Sequence, residues 1–218
     1  MRFDLSKPIL YLITRGASTE TTTPHSPEFR QILAQVSAAV SAGLELIQLR
    51  EKRLTARVLF ELSKQSAALT RGSVTRLLVN DRADVAAAAG ADGVHLTTHS
   101  IDAATIRRTF GKDFLIGVST HSLAEAEVAK EGGADFIVFG PVFATPSKEN
   151  YGLPAGLVKL ERVAKQLAPF PVLALGGVDV TNARECLRAG ASGIAGISLF
   201  EDFERLDEIV QTCVSETE

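Results

Sequence analysis

The sequence has few of the residues and segments that define several classes of protein. Its 218 residues include 2 cysteines and no tryptophan, which excludes a disulfide framework as the basis of the fold. The longest apolar runs fall far short of the about 20 residues that a membrane span requires, and the amino-terminal residues contain no apolar core of signal-peptide length. We therefore expect a soluble protein of the cytoplasm with no membrane partner.

Positive charge is not in excess either. Lysine and arginine number 23 against 26 aspartates and glutamates, for a formal net charge of −3. Proteins that bind nucleic acid usually carry a basic excess that displaces counterions from phosphates, so no nucleic-acid partner is expected. The histidines show no zinc spacing with the cysteines, and Cys186 and Cys213 are predicted to pack in the core.

What the chain does have is a regular alternation of β-branched runs with Ala- and Leu-rich segments of helical period. Eight strands are predicted, at 9–14, 44–50, 77–80, 93–96, 115–119, 135–140, 171–175 and 193–197. Eight helices are predicted after them, at 27–42, 56–70, 84–89, 103–110, 123–131, 156–166, 182–189 and 203–213. Each predicted strand is thus followed by a helix.

This alternation favours a (β/α)₈ TIM barrel that forms a single domain over residues 1–218. Several strands are apolar on both faces, as expected for parallel strands covered by helices. An echo at 90–94, 133–137 and 190–194 repeats a helix-ending glycine, a short connection and a new strand. A doubly wound open sheet is the competitor, but the first strand lacks the Gly-rich dinucleotide turn. The polar segment 18–26 is predicted to be a flexible first loop.

Polar residues occur where the predicted strands end, which is where barrel enzymes place their chemistry. The second strand leads into Gln48, Arg50 and Lys52, and alternation directs the three to one side if the strand stays extended. Two cations and an amide suit a phosphate-rich ligand. The alternative is a solvated strand end paired to Glu45 or Glu51.

The third strand ends at Asp81, whose carboxylate could hold Mg²⁺ together with substrate phosphates. The alternative is a helix cap. After the fifth strand, Ser119 could donate a hydrogen bond to a ligand and His121 could act in acid–base chemistry. The alternative is that Ser122 or Thr120 caps a helix while His121 is solvated.

The loops after the last three strands suit a phosphate. The loop after the sixth strand contains hydroxyls and an ammonium that could surround one, although surface loops often contain the same residue types. Gly176 and Gly177 follow the seventh strand, and Ile197 and Ser198 end the eighth. In barrels, the loops after strands seven and eight commonly form a phosphate site from backbone N–H groups.

These motifs together resemble the thiamine phosphate synthase and thiazole tautomerase superfamily. The resemblance rests on Gln-Leu-Arg-Glu-Lys at 48–52, Val-Asn-Asp-Arg at 79–82, Gly-Val-His-Leu at 93–96, Gly-Val-Ser-Thr-His at 117–121, Gly-Pro-Val-Phe at 140–143, Thr-Pro-Ser-Lys at 145–148 and Gly-Gly at 176–177. It spans nearly the whole chain, and the order and spacing of its motifs are specific for the superfamily.

The resemblance implies an enzyme of thiamine biosynthesis that couples 4-amino-2-methyl-5-(diphosphooxymethyl)pyrimidine to a thiazole phosphate and releases pyrophosphate. It implies that the pyrimidine diphosphate contacts Gln48, Arg50, Lys52, Asn80, Ser119 and Lys148, and that Asp81 binds Mg²⁺. It implies that the thiazole phosphate contacts Thr145, Ser147, Gly177, Ile197 and Ser198. Lys148 and Ser119 would then serve catalysis, as would His121 in a tautomerase. Barrel enzymes are often dimers, which allows a homodimer.

One departure separates the chain from the synthase pattern. Synthases typically place a second acidic Mg²⁺ ligand at the position that Ser100 occupies here. Either Asp102 reaches in from the next turn, or water replaces the carboxylate, or the metal chemistry is abandoned. The last option would favour a metal-free thiazole tautomerase using His121, or a non-catalytic barrel that binds a thiamine precursor. Retention of Gln48, Arg50 and Lys52 favours the synthase, because a tautomerase has no diphosphate to hold.

Overall fold

The computed structural model describes residues 3–145 and 153–214, and within them it contains a closed barrel of eight parallel strands. The strands are β1 (Ile9–Ile13), β2 (Leu46–Leu49), β3 (Arg76–Asn80), β4 (Gly93–Leu96), β5 (Leu115–Thr120), β6 (Phe136–Phe139), β7 (Val172–Ala174) and β8 (Gly193–Gly196). Each pairs with the next in sequence, and β8 pairs with β1. The predicted TIM barrel is confirmed.

The helices surround this barrel. They are α1 (Pro27–Ser41), α2 (Ala56–Thr70), α3 (Ala83–Ala89), α4 (Ala103–Phe110), α5 (Leu123–Glu131), α6 (Gly156–Leu167), α7 (Ala183–Arg188) and α8 (Leu206–Val214). Two short 3₁₀ segments, Ser198–Phe200 and Phe203–Arg205, lie between β8 and α8. Among the residues described, no helix is long and apolar enough to cross a bilayer.

Two apolar clusters follow from the alternation of side chains along each strand. One fills the barrel interior and contains Ile9, Tyr11, Leu46, Leu78, Leu115, Phe136, Val138, Leu173 and Ala195. The other, larger cluster lies between the strands and the helices and includes Cys186 and Cys213. Both thiols are buried, as predicted, and burial raises the pKa of Cys186 to about 12.

A polar acceptor stands before each even-numbered strand, at the amino-terminal end of the barrel. It accepts a hydrogen bond from a backbone N–H of the preceding odd-numbered strand. We call these four pairs the rim clamps: Glu45 with Leu10 at 3.0 Å, Asp92 with Leu77 at 2.8 Å, Asp135 with Ile116 at 2.8 Å and Ser192 with Val172 at 3.4 Å. Three of the acceptors belong to the Gly-Ala-Asp or Gly-Ala-Ser echo in the sequence, so the echo marks a repeated structural unit.

The loop after β1 is held in place by a carboxylate from the loop after β2. Glu51 is 3% exposed. Its oxygens accept hydrogen bonds from the Thr14 hydroxyl at 2.7 Å, the Gly16 N–H at 3.2 Å and both the N–H and the hydroxyl of Ser18, at 3.2 and 2.5 Å. At the same loop, the Arg15 guanidinium pairs with Glu201 beyond β8. Ser18, the first residue of the polar segment 18–26, is thus hydrogen-bonded through both its N–H and its hydroxyl to a buried carboxylate that needs these donors.

Candidate active site

The inner face of the barrel changes from apolar to polar toward the carboxyl ends of the strands. The inward positions of β2 to β5 end in Gln48, Asn80, His95 and Ser119, one residue per strand. The Gln48 amide nitrogen donates to the Asn80 side-chain oxygen at 2.9 Å. Four adjacent strands thus present a ring of hydrogen-bonding groups at the end of the barrel where βα enzymes bind substrate.

A hydrogen-bonded chain crosses this ring. The Tyr11 hydroxyl lies 3.1 Å from His95 Nδ1, and His95 Nε2 lies 2.9 Å from the Ser119 hydroxyl oxygen. Tyr11 is 0% and His95 is 2% exposed, whereas Ser119 is half-buried at the mouth. Burial, assisted by the charge of Arg50, lowers the pKa of His95 from 6.5 to about 3, so the imidazole is neutral at physiological pH. His95 is thus a buried, hydrogen-bonded residue of the barrel interior.

Arg50 and Lys52 occupy different surroundings. Arg50 directly follows β2 and is half-buried. Its backbone N–H donates to the Thr14 hydroxyl at 2.8 Å. Because β2 ends at Leu49, the chain does not stay extended as far as Lys52, which lies exposed in a turn. The condition under which Lys52 was expected to share a side with Gln48 and Arg50, a strand extended to residue 52, is therefore not met. Lys52 instead lines a cavity of about 330 Å³ beside Asp81.

Neither Glu45 nor Glu51 neutralises the positive charges of Arg50 and Lys52 at the end of β2. Glu45 forms a rim clamp at the opposite end of the barrel and pairs with Lys7 at 3.2 Å. Glu51 is engaged by the loop after β1. Among the described ion pairs, none includes Arg50 or Lys52, which leaves both cations available to an anionic ligand.

Asp81 presents an exposed carboxylate to the cavity that Lys52, Asn80, Arg82 and His99 also line. Its backbone has φ of 61°, a left-handed conformation that is uncommon outside glycine and is tolerated by Asp and Asn. The residue preceding α3 is Arg82, with no side-chain cap, and the Asp81 carboxylate accepts no hydrogen bond within the described part of the chain. The helix-cap alternative is therefore wrong.

The loop after β4 supplies no second carboxylate to this cavity. The Asp102 side chain caps α4, accepting from the Thr105 N–H at 2.8 Å and the Thr105 hydroxyl at 2.9 Å. Ser100 accepts from the Thr97 N–H at 2.8 Å. Over residues 3–145 and 153–214, no three acidic, histidine or cysteine side chains form a metal-binding group. Asp102 is therefore a helix cap. Of the two carboxylates that line the cavity in the described structure, Glu51 is engaged by the loop after β1, and Asp81 is the one available to a cation.

His121 lies exposed just beyond β5, where its Nδ1 hydrogen-bonds the Gly140 carbonyl at the end of β6. Its backbone N–H donates to Glu125 at 2.6 Å, and the Ser122 hydroxyl caps α5 by accepting from the Glu125 N–H at 3.2 Å. Ser122 is thus the cap that the sequence suggested. His121 is placed at the rim, oriented toward β6, and lies outside the ring of inward groups.

The loops after β6, β7 and β8 meet at the same end of the barrel. Gly176 and Gly177 have φ of 96° and 64°. A Cβ on Gly177 would lie 2.6 Å from the Ala144 carbonyl oxygen, and the Phe143 N–H donates to the Gly176 carbonyl at 2.9 Å. Glycine is required at both positions because the two loops approach so closely.

The remaining phosphate candidates are placed unequally. Thr145 is half-buried in the loop after β6, Ile197 is half-buried after β8, and Ser198 is exposed at the start of a 3₁₀ segment. Ser147 and Lys148 lie outside the described residues. The structure therefore brings Thr145, Gly177, Ile197 and Ser198 to neighbouring loops of one rim.

Two residues that matter at this site were missed in the sequence. The predicted strand 9–14 includes Tyr11 but gives its hydroxyl no role, although a hydroxyl at an inward position of a barrel strand requires a buried partner. Glu51 enters the prediction only as a partner for the end of the second strand. Its true partners lie 33 to 37 positions earlier in the chain, and no local pattern connects such distant positions.

The chain is similar to known proteins along most of its length. A family model described as thiamine monophosphate synthase matches residues 10–200. A Geobacter sulfurreducens protein with the provisional name thiamine-phosphate synthase is 47% identical over 189 residues, which cover 87% of this chain and 84% of that protein. The thiamine-phosphate synthase of Roseiflexus castenholzii is 39% identical over 194 residues, covering 89% and 85%. Thiamine phosphate pyrophosphorylase from Pyrococcus furiosus matches with a TM-score of 0.75 and 32% identity, covering 94% and 96%.

Proposed function

Because the chain belongs to the thiamine monophosphate synthase family, we propose that it is a transferase that couples a pyrimidine diphosphate to a thiazole phosphate and releases pyrophosphate. The family predicted from the sequence is confirmed. The observation that carries the proposal at this site is the polar ring of Gln48, Asn80 and Ser119 beside Arg50, which forms no ion pair within the described residues, at the carboxyl end of the barrel.

The reaction requires stabilisation of negative charge on a departing diphosphate. The bond between the pyrimidine methylene carbon and the diphosphate oxygen breaks, its electron pair leaves with the diphosphate, and the methylene carbon bonds to the thiazole. Fixed donors and cations aimed at the leaving group lower the barrier of such a step. Arg50 supplies a half-buried positive charge, while Gln48 and Asn80, joined by their own hydrogen bond, supply oriented amides.

The interior histidine supports this charge arrangement. Because the pKa of His95 is lowered to about 3, the ring carries no charge, and so it does not repel Arg50 or attract the diphosphate deeper into the barrel. We propose that Lys52 contacts the outer part of the diphosphate from its turn at the cavity. Lys148 keeps its proposed role at the leaving group, although it lies outside the described residues.

The thiazole phosphate is proposed to bind at the opposite side of the mouth. Within the described residues, the Gly177 N–H donates no hydrogen bond, and its carbonyl is fixed by the Asn182 side chain at 2.9 Å. A backbone N–H held in place and free to donate is a suitable phosphate ligand. Thr145, Ile197 and Ser198 lie in the neighbouring loops and are proposed as further contacts, together with Ser147.

Magnesium fits the donor set if the substrate completes the coordination. Mg²⁺ in proteins commonly takes one or two carboxylates, with substrate phosphates and water as the other ligands. Asp81 has an exposed carboxylate that accepts no hydrogen bond from the residues described, and Asn80 and Lys52 line the same cavity. When bound, the ion would neutralise charge on the leaving diphosphate. We propose Asp81 as its single carboxylate ligand from the chain.

The test is an assay of the purified protein with both substrates, with and without Mg²⁺, following pyrophosphate. We expect Mg²⁺-dependent release that falls about 100-fold in Arg50→Gln, as for loss of a transition-state donor. Arg53→Gln is the matched control, because Arg53 is an exposed residue of the following turn, and it should keep its rate within about twofold.

Other outcomes assign other functions. Migration of the thiazole double bond without pyrophosphate release, lost in His121→Ala, would reject the synthase in favour of a tautomerase. Calorimetric binding of the substrates with neither reaction would identify a non-catalytic binding barrel.

A further inference from the structure

Tyr11 and His95 form the inner part of a hydrogen-bonded chain that reaches the active site only through Ser119. We propose that these hydrogen bonds run in one fixed direction, from Tyr11 through His95 to Ser119. The Ser119 hydroxyl is thereby held as a donor toward the anionic ligand at the mouth of the barrel. Tyr11 and His95 are then positioning residues for the coupling reaction. This inference rests on the proposed function only for the identity of the anion.

Tyr11 is the first donor in this series of hydrogen bonds. Its side chain is completely buried among the apolar residues of the barrel interior, with the Phe136 ring 5.5 Å away, centroid to centroid, in an edge arrangement. Within the described residues, its hydroxyl has one hydrogen-bond partner, His95 Nδ1. A buried O–H proton that donated to nothing would cost the desolvation of that group. The proton therefore lies on the line to His95, and Nδ1 accepts it.

The next step follows from that hydrogen bond. An imidazole whose Nδ1 accepts is unprotonated at that nitrogen, so the ring carries its proton on Nε2. His95 Nε2 faces the Ser119 hydroxyl oxygen at 2.9 Å, so Nε2–H donates and Ser119 accepts. A second acceptor for the imidazole proton is not needed, and the tautomer is set by the tyrosine, as outer groups commonly set histidine tautomers.

The final step concerns the Ser119 hydroxyl proton. Because the direction toward His95 is already occupied by an incoming N–H, the Ser119 proton must point elsewhere, and Ser119 is half-buried at the mouth of the barrel. A hydroxyl with its proton directed outward favours an anion. If the hydrogen bonds ran the other way, Ser119 would donate to His95 and turn its lone pairs toward the diphosphate, which would weaken diphosphate binding.

The tautomer can be measured without substrate. Nitrogen-15 NMR of histidine-labelled protein at neutral pH should show His95 protonated at Nε2 and unprotonated at Nδ1, with assignment by loss of the signal in His95→Gln. In Tyr11→Phe, which removes the hydroxyl alone, we expect a mixture of both tautomers. A wild-type ring protonated at Nδ1 would overturn the proposal, whether or not the protein proves to be a synthase.

The effect on anion binding is measured by calorimetry, as the affinity for pyrophosphate in the presence of Mg²⁺. Tyr11→Phe should weaken pyrophosphate affinity about tenfold, although Tyr11 contacts no ligand. Ser119→Ala should weaken it at least as much, and the double variant should be no weaker than Ser119→Ala alone, because the tyrosine acts through the serine. Ile13→Val, which trims the same apolar interior, is the control and should leave affinity unchanged.

A purely structural role for Tyr11 gives a different pattern. The loss in affinity in Tyr11→Phe would then add in full to that of Ser119→Ala, or would appear equally in Ile13→Val. Either result would overturn the proposal.

Discussion

Ser100 stands at the sequence position where, by the resemblance to the synthases, a second acidic Mg²⁺ ligand is expected. The hydroxyl accepts from the Thr97 N–H, and the nearby Asp102 carboxylate is engaged in capping α4. Among the described residues that line the cavity, Asp81 has the available carboxylate, because Glu51 is engaged by the loop after β1. A site with one carboxylate depends on phosphate oxygens for the rest of its ligands, so we expect Mg²⁺ affinity to be coupled to the diphosphate.

The first prediction concerns this coupling. Ser100→Asp should raise the affinity for Mn²⁺, used as a spectroscopic substitute for Mg²⁺, about tenfold in the absence of pyrophosphate, because the variant adds a charged oxygen ligand. Electron paramagnetic resonance titration measures free Mn²⁺ directly. Asp102→Asn is the control and should leave affinity unchanged, since Asp102 caps a helix. A loss of metal binding in Asp102→Asn would show instead that Asp102 reaches the ion.

The second prediction concerns the buried imidazole of His95. Its pKa is about 3 in the folded protein, against 6.5 for an exposed histidine. Between these values the unfolded chain binds the proton and the folded chain does not, so the free energy of unfolding rises with pH and is lost on acidification. The slope from this residue is at most about 1.4 kcal/mol per pH unit.

Chemical denaturation between pH 5 and pH 6.5 should therefore give a shallower dependence in His95→Gln than in the wild type. His25→Gln is the matched control, because His25 is exposed in the first loop, and it should keep the wild-type slope. Equal slopes in His95→Gln and the wild type would mean that the ring is protonated in the folded state.

At the scale of the elements, the loop after β1 owes its conformation to a residue of another loop. The third prediction is that Glu51→Gln lowers the free energy of unfolding by about 1–3 kcal/mol, because an amide N–H₂ then faces the donors of Thr14, Gly16 and Ser18. Trypsin should also cleave after Arg15 faster. Both effects are measured on the full chain, by denaturant unfolding and by limited proteolysis.

Glu201→Gln provides the comparison for this loop. Its side chain is 46% exposed and pairs with Arg15, itself 68% exposed. An exposed pair contributes little, at most about 1 kcal/mol. If Glu201→Gln releases the loop as much as Glu51→Gln does, the anchor is the ion pair and not the buried carboxylate.

The sequence predicted which segments form strands and helices more accurately than the residues at which each one begins and ends. The strand predicted at 44–50 is Leu46–Leu49 because the Leu44 N–H instead bonds the Ala39 carbonyl at 3.0 Å, which closes α1, and Glu45 forms a rim clamp. The helix predicted from residue 203 begins at Leu206, after a 3₁₀ turn. Apolar periodicity identifies a strand or helix, but its last residues depend on tertiary hydrogen bonds that periodicity does not record.

Some residues of the candidate site could also be placed from the sequence, and others could not. Gln48, Asn80 and Ser119 could be placed at one rim because strand alternation and barrel topology determine where they point. Lys52 could not, because its position depends on where β2 ends. The hydrogen bonds that join Tyr11 to His95 and His95 to Ser119 span 84 and 24 positions, and the closed barrel brings the three residues together.

At the scale of the whole molecule, the two ends of the barrel have different tasks. The carboxyl ends of the strands carry the polar ring, whereas the amino-terminal end carries the rim clamps. In barrels of this kind, the first end serves chemistry and the second serves stability. Variants at the rim clamps should therefore alter folding without altering binding.

The fourth prediction tests this separation. Asp92→Ala should lower the free energy of unfolding by about 1–3 kcal/mol, since it leaves the Leu77 N–H without an acceptor, while pyrophosphate affinity stays within about twofold. Glu208→Ala, which removes the exposed partner of Arg205 from α8, should leave the free energy of unfolding almost unchanged, because exposed ion pairs contribute little. Weaker pyrophosphate binding in Asp92→Ala, measured where the variant is fully folded, would contradict the separation.

Each rim clamp joins a strand to its immediate successor, so a break in the chain between α4 and β5, at residues 111–113, divides none of them. Two fragments produced from a gene split there would each retain two complete clamps. Co-expressed, the halves should reassociate through the β4–β5 and β8–β1 ladders and through Arg107, whose guanidinium donates to Asp135 at 2.7 Å across the break. The clamps therefore make the half-barrel a natural unit for modular reconstruction and for recombination with related barrels.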